Sequence, residues 1–196
     1  MKKIIDFIKD ETGTHYELKE EVSVTISGKG VTDIFGICEQ MICLDNLTIW
    51  FDSTDNKVVL TAHPFKSDEL MWDGVTGLPD TDYESMLASL FHDLLYVYME
   101  DLSSKINKPV KEVRKWADQI FWAIWNGASR SWVEKLKAKI AFGTVRTFGG
   151  IYHTVSKWFL IIAALSLLSG CCVPDWNLDD VENGEAVQEV IDNGNK

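Results

Sequence analysis

Basic side chains are scarce in this chain of 196 residues. Lys and Arg number 19 against 30 Asp and Glu, which gives a formal net charge of −11 at pH 7. Phosphate contacts need Lys and Arg, so this balance argues against a nucleic-acid partner. Acidic residues are in turn missing from residues 135–174, where the local charge becomes positive.

The chain also lacks the cysteine spacings of zinc sites and disulfide frameworks. Its four cysteines, at positions 38, 43, 171 and 172, form no C-x-x-C pair and have no histidine neighbour. This pattern favours buried free thiols. A secretory leader is not expected either, because charges interrupt the first ten residues before an apolar stretch can form.

Alternation of apolar and polar residues predicts β-structure in the N-terminal third. Residues 16–27 alternate with a period of two, as in a half-buried strand. The β-rich runs 47–51 and 57–61 flank the polar segment 52–56, which is typical of a hairpin. We therefore expect residues 1–62 to form a β-rich region.

Helical spacing takes over in residues 63–152. The apolar positions predict helices over 83–100 and 110–126, joined by a turn at 101–109, and a third helix over 129–142. The expected fold is α+β: a small N-terminal β-hairpin region packed on a helical bundle with an antiparallel helix pair, plus a C-terminal hydrophobic helix.

His92 and Asp118 are polar residues inside the two apolar helices of that pair. Both are 13 residues from position 105, the middle of the predicted turn, so the two side chains should face each other across an antiparallel pair. An unpaired buried carboxylate is costly, which favours their contact. Tyr96 lies one helical turn after His92 and can bond Asp118 as well.

Two interpretations of this pair are open. In the first, His92 and Asp118 are a structural staple between the helices. In the second, they form a catalytic site, in which Asp118 orients the His92 ring and the ring accepts a proton from water. The neighbouring Asp93 and Tyr96 favour the second interpretation, because a staple would not need them.

An acidic, glycine-containing loop at 62–83 precedes these residues. Its backbone carbonyls, at Gly74 and Gly77, and the Asp93 carboxylate are the kinds of ligand that a hard cation such as calcium prefers. A solvated turn would have a similar composition.

The motif His-Asp-x-x-Tyr on one helix, with Asp118 on the antiparallel helix, resembles the catalytic helix pair of secreted phospholipases A2, especially the small bacterial and fungal forms. The resemblance implies that His92 activates water, that Asp118 orients the His92 ring and that Asp93 binds calcium. Segment 72–79 is loosely similar to the calcium loop of that family. Membrane lipid would then be the substrate.

A second resemblance covers roughly residues 45–152. Four blocks in order are similar to a family of uncharacterised phage and prophage proteins. They are Trp72-Asp-Gly-Val-Thr-Gly-Leu-Pro-Asp-Thr81, Ser89-Leu-Phe-His-Asp-Leu-Leu-Tyr96, Ala117-Asp-Gln-Ile-Phe121 and Val145-Arg-Thr-Phe-Gly-Gly150. This resemblance implies a viral origin, with phage or host-envelope proteins as partners, rather than a particular reaction.

The hydrophobic segment 153–173 contains 16 consecutive uncharged residues, 158–173. A membrane span needs about 20. Three interpretations are open: a buried core helix, a single membrane anchor, or lipoprotein-like processing, since Leu168-Ser-Gly-Cys171 resembles a bacterial lipoprotein box with Cys171 as the lipidated residue. For an anchor, the charges predict a cytoplasmic N-terminal domain and an outer, disordered acidic tail at 174–196.

Together these observations predict a phage-encoded, membrane-associated protein with a phospholipase A2-like site that hydrolyses acyl esters. The alternative is a non-catalytic phage structural or host-envelope interaction protein, in which the His92–Asp118 pair is a staple. The sequence does not indicate an oligomeric state.

Overall fold

The computed structural model describes residues 7–11, 13, 15–36, 41–70, 72–74, 83–128, 132–148 and 176–182. Within them, N-terminal antiparallel sheets are followed by four helices, and one further strand comes near the C-terminus. This arrangement confirms the predicted α+β class.

The β-structure comprises two antiparallel sheets. The smaller sheet pairs β1 with β2, and the larger has the order β4-β5-β6-β3-β7. The strands are β1 (Phe7–Lys9), β2 (Tyr16–Leu18), β3 (Val22–Ser27), β4 (Met41–Leu44), β5 (Leu47–Asp52), β6 (Lys57–Ala62) and β7 (Asn177–Glu182).

The predicted hairpin is confirmed as β5–β6. Asp52 Oδ1 accepts hydrogen bonds from the backbone N–H groups of Thr54 and Asp55, and Asn56 adopts a positive φ of 52°. These are the usual conformations of Asp and Asn in turns. The predicted strand over 16–27 is instead divided into β2 and β3, because the polar residues 19–21 lie between segments that pair with different partners.

Alternate residues of the large sheet form one buried face. This face packs against the helices through contacts of β6 with α1 (Tyr83–Val97) and of β3 with α3 (Val110–Ala128). Its fully buried side chains are Val22, Val24, Ile26, Leu47, Ile49, Val58 and Leu60. The hydrophobic effect that holds the two layers together therefore comes from the period-two pattern of these strands.

Residues 31–36 connect the sheet to α3. Phe35 stacks on Phe51 with ring centroids 4.6 Å apart, and the edge of Trp116 meets Phe35 at 5.2 Å. The indole Nε1 of Trp116 donates to the Val31 carbonyl at 3.0 Å. The N-terminal half of α3 is thereby fixed on the sheet.

The first predicted helix is shorter than expected, and a separate helix follows it. The helix predicted over 83–100 ends at Val97, and α2 (Met99–Ile106) occupies most of the predicted turn. Asn107, with a φ of 52°, ends α2, and its N–H and that of Lys108 bond back to carbonyls of the last turn. Such left-handed caps are a common way for a helix to end, so the turn before α3 is only 107–109.

The fourth helix, α4 (Trp132–Phe148), packs against α3 and is longer than predicted. The sequence predicted an end at residue 142, whereas α4 continues to Phe148.

The acidic tail contributes a strand to the large sheet. Residues 177–182, part of the segment predicted to be disordered, form β7, which pairs with β3. Trp176 is buried, and its indole Nε1 donates to the Lys29 carbonyl at 3.2 Å. The burial of Trp176 and the pairing with β3 explain why this part of the tail is ordered, although its acidic composition predicted disorder.

The hydrophobic segment 153–173, including Cys171, lies outside the described residues, as does Gly77. None of the helices in the described part of the chain combines the length and the hydropathy that a bilayer crossing requires.

Candidate functional site

The site lies between α1 and α3, which run antiparallel. The ring of Phe121 meets the edge of His92, and Arg114 lies over the ring of Tyr96. His92 on α1 thus lies beside Phe121 on α3, and the later Tyr96 lies beside the earlier Arg114. This antiparallel direction, together with the helical spacing, brings the predicted residues together.

His92 lies between two carboxylates. Its Nδ1 faces Asp93 Oδ1 at 3.1 Å, and its Nε2 faces Asp118 Oδ1 at 3.3 Å. The side chain of Asp118 is 1% exposed and that of Asp93 is 23% exposed. The predicted His92–Asp118 pair is thus confirmed, with one buried carboxylate and one that reaches solvent.

Tyr96 and Arg114 extend the network. The Tyr96 hydroxyl donates to Asp118 Oδ1 at 2.7 Å and accepts from Arg114 Nε at 3.1 Å. The contact of Tyr96 with Asp118 was predicted, but Arg114 was not. Arg114 precedes Asp118 by four residues and so lies on the same face of α3, which is the sequence signal that could have identified it.

Two opposing effects act on the pKa of His92. Burial lowers it, but the hydrogen bonds and negative charges of Asp118 and Asp93 raise it, and the net direction is upward. When the ring is protonated, each nitrogen donates to one of the two carboxylates.

The carboxyl of Asp93 also has a raised pKa. Burial is the largest cause, His92 opposes it, and the negative charge of Asp73 adds to it. The charge of Asp73 is the smallest of these effects, and it acts on Asp93 from the acidic loop. Gly74, next to Asp73, has a φ of 84°, a conformation that glycine adopts readily.

Trp72 fixes the position of this loop. It is fully buried, its indole Nε1 donates to Ser89 Oγ at 3.1 Å, and its carbonyl accepts from the Tyr16 N–H at 2.8 Å. Because Ser89 is in α1, one turn before His92 and Asp93, these contacts hold Asp73 beside the site.

The Asp73 and Asp93 side chains fit a hard cation in charge and in chemistry, since carboxylate oxygens are preferred ligands of calcium. A cation would also relieve their mutual repulsion. No group of three His, Cys, Asp or Glu side chains lies close enough to hold a metal in the residues that the structure describes. Further ligands would have to be backbone carbonyls or water.

Comparison of the chain with models of protein families, with curated proteins and with solved structures gives no match.

Proposed function

We propose that this protein is a membrane-associated hydrolase of phospholipid acyl esters and that His92 is its general base. The observation that carries the proposal is the position of the His92 ring between the buried Asp118 and the partly exposed Asp93. A buried carboxylate on one ring nitrogen fixes the orientation of the ring and increases the basicity of the other nitrogen.

The reaction requires that His92 Nδ1 lose its proton and that Asp93 leave it. A neutral ring held through Nε2 by Asp118 can then accept a proton from water at Nδ1, while the resulting hydroxide attacks the ester carbonyl. The bond from the carbonyl carbon to the alcohol oxygen then breaks, and His92 returns the proton to the leaving alkoxide. Asp93, being partly exposed, can turn toward solvent and the Asp73 side, whereas Asp118 cannot. Tyr96 holds the Asp118 carboxylate throughout, and Arg114 holds the Tyr96 hydroxyl.

Calcium, with Asp93 and Asp73 as ligands, would polarise the ester carbonyl and stabilise the negative charge that develops on its oxygen. The resemblance to phospholipases A2 and the repulsion between the two carboxylates support this assignment. The Gly74 carbonyl is a further proposed ligand, and Gly77, proposed together with it, lies outside the described residues.

Membrane association is part of the proposal, because the hydrophobic segment 153–173 would bring the site to its substrate. The strand β3 precedes this segment and β7 follows it, yet the two strands pair in one sheet. If the segment crossed the membrane once, β3 and β7 would lie on opposite sides. We therefore propose that the segment attaches the protein to one face of the membrane. Lipidation at Cys171 would serve the same purpose.

A phage origin, with phage or host-envelope partners, is proposed from the four sequence blocks. Two of them, 89–96 and 117–121, contain all the residues of the network except Arg114. The resemblance thus concentrates on the site.

A second function is favoured by one specific observation. Both ring nitrogens of His92 are occupied by carboxylates, and the residue is 5% exposed. A network of this kind can simply hold α1 on α3 in a non-catalytic phage structural or host-envelope interaction protein. Catalysis and stability measurements on the same variants separate the two functions.

The test is fatty-acid release from phospholipid vesicles, with calcium or with a chelator, by the full chain. His92→Asn and Asp93→Asn should reduce release by at least about 100-fold, the lower end of the range for general-base catalysis. His15→Asn, a substitution between β1 and β2, is the matched control and should retain activity. Circular dichroism verifies that each variant is folded. Equal release by wild type and a folded His92→Asn variant would contradict the hydrolase and leave the structural function.

A further inference from the structure

A second histidine and carboxylate meet on the outer face of the large sheet, opposite the helices. Glu21 immediately precedes β3, and His63 immediately follows β6, which lies between β3 and β5. His63 Nδ1 faces Glu21 Oε2 at 2.8 Å, and His63 Nε2 faces Thr48 Oγ1 at 2.8 Å. Three strands thus contribute a carboxylate, an imidazole and a hydroxyl in a continuous chain of hydrogen bonds.

Glu21, His63 and Thr48 are arranged in the order of a carboxylate, a base and a nucleophile. If the His63 ring donates its Nδ1 proton to Glu21, then Nε2 is an acceptor and the Thr48 hydroxyl donates to it. This tautomer is the one in which a histidine activates a hydroxyl. The side chains of His63 and Glu21 are 34% and 29% exposed and Thr48 is 9% exposed, so the relay meets solvent at its His63–Glu21 end.

Part of the surroundings of Thr48 is apolar. Trp50 and Val59 are Cα partners on β5 and β6, and Trp50 is also the Cα partner of Met41 on β4. Because side chains two positions apart on a strand share a face, Trp50 lies on the same face as Thr48. All three apolar side chains are partly exposed. They form a strip next to the relay, which we call the outer apolar strip.

We propose that Thr48 is a nucleophile, activated by His63 and Glu21, that accepts an apolar acyl group from an activated ester. The acyl chain would lie on the outer apolar strip, and the carbonyl carbon would be next to Thr48 Oγ1. This site is separate from the His92 network and does not depend on the function proposed for it.

In the acylation step, Thr48 Oγ1 forms a bond to the carbonyl carbon as its proton moves to His63 Nε2. The bond from that carbon to the leaving oxygen breaks, and His63 returns the proton to the leaving group. The product is an acyl-threonine ester and a free alcohol. Glu21 Oε2 accepts from His63 Nδ1 and stabilises the transient imidazolium.

Cys43 is the main competitor as an acceptor. It is the Cα partner of Thr48 on β4, and its thiol is exposed and free. Cross-strand partners have adjacent side chains, so an acyl group offered to this face could also be taken by sulfur. The experiment is therefore done with the full chain carrying Cys43→Ala, and with the unmodified chain in parallel.

The probe is p-nitrophenyl hexanoate, and the readouts are the release of p-nitrophenolate and the location of the hexanoyl adduct by peptide mass spectrometry. Labelling of Thr48 is expected. His63→Gln and Glu21→Gln should slow it, His63→Gln by about 100-fold or more. Thr48→Ser retains the hydroxyl and should be labelled, whereas the isosteric Thr48→Val should not. His15→Asn should be labelled at Thr48 at the wild-type rate.

A purely structural relay would give a different result. The variants at Glu21 and His63 would then lower the unfolding temperature without changing where or how fast the probe reacts. Labelling confined to Cys43 or to lysines, or the absence of a hexanoyl adduct on Thr48 in the chain carrying Cys43→Ala, would overturn the proposal.

Discussion

The Tyr96 hydroxyl donates a 2.7 Å hydrogen bond to Asp118 Oδ1, the same oxygen that His92 Nε2 faces at 3.3 Å. One carboxylate oxygen therefore receives two donors from α1, and both belong to residues separated by one helical turn. The side chain of Asp118 is 1% exposed, so these donors replace the water that the carboxylate loses on burial. Asp118 of α3 is thus a shared partner of two side chains of α1.

Removal of the Asp118 carboxylate should be strongly destabilising. Asp118→Ala leaves the His92 ring and the Tyr96 hydroxyl without their buried partner, and we expect a loss of about 3–5 kcal/mol in the free energy of unfolding. Urea denaturation followed by circular dichroism measures it.

Tyr96→Phe removes only one donor to the same carboxylate. Hydrogen bonds to charged groups contribute about 1.5–3 kcal/mol, and the expected loss is in that range. Glu100→Ala in α2, at an exposed position, is the control and should be near neutral. A Tyr96→Phe variant as stable as wild type would show that Asp118 is satisfied without the Tyr96 hydroxyl.

The raised pKa of His92 predicts how stability depends on pH. The folded state binds this proton more tightly than the unfolded state, in which the pKa is near 6.5. The stabilisation is therefore complete below that pH and is lost as pH rises through the folded pKa. Asp93, whose pKa is also raised, changes stability in the same direction. The urea concentration at the midpoint of unfolding should decrease for wild type as the pH is raised from neutral to alkaline. In His92→Gln this midpoint should depend less on pH.

The same proton has the opposite effect on activity. A protonated His92 cannot act as a base, so the rate of fatty-acid release should increase with pH through the raised pKa of His92, in the range where stability decreases. The measurement is a pH–rate profile with vesicles at fixed calcium concentration. A rate that is independent of pH above 6.5 would contradict the assignment of His92 as the base.

Calcium binding can be tested without any substrate. A ligand that binds only the folded state raises the unfolding temperature, and tenfold increases above the dissociation constant each add about 1.4 kcal/mol. Wild type should be stabilised by calcium, and Asp93→Asn and Asp73→Asn should each lose most of this shift. Asp55→Asn, in the β5–β6 turn, is the matched acidic control. Equal shifts in wild type and Asp93→Asn would remove Asp93 as a ligand.

The pairing of β7 with β3 predicts that two cysteines introduced on these strands form a disulfide. Thr25 and Asp180 are Cα partners, and opposed residues on antiparallel strands are close enough for a disulfide bond. Thr25→Cys with Asp180→Cys, in a chain whose native cysteines are serine, should cross-link in membranes as well as in detergent. The pair Thr25→Cys with Asp55→Cys is the control. Cross-linking in detergent but not in membranes would indicate that the two strands lie on opposite sides of the bilayer.

Local patterns in the sequence were sufficient for much of the fold and for the centre of the site. The hairpin β5–β6 follows from two β-rich runs and a polar turn. The approach of His92, Tyr96 and Asp118 follows from helical spacing and from the order of two neighbouring helices. The periodicity of nearby residues predicts these relationships. The helix pair forms as predicted although α2, and not the predicted turn, makes up most of the connection.

Other relationships depend on which surfaces pack together, and only the tertiary structure decided them. The burial of Trp72 against Ser89 brings Asp73 toward Asp93. The addition of β7 to β3 gives the acidic tail a strand, and the order of β3, β6 and β5 brings Glu21, His63 and Thr48 together. Each joins segments far apart in sequence, where no local period specifies the partner, because the packing of apolar surfaces and the pairing of backbone groups act across the whole domain.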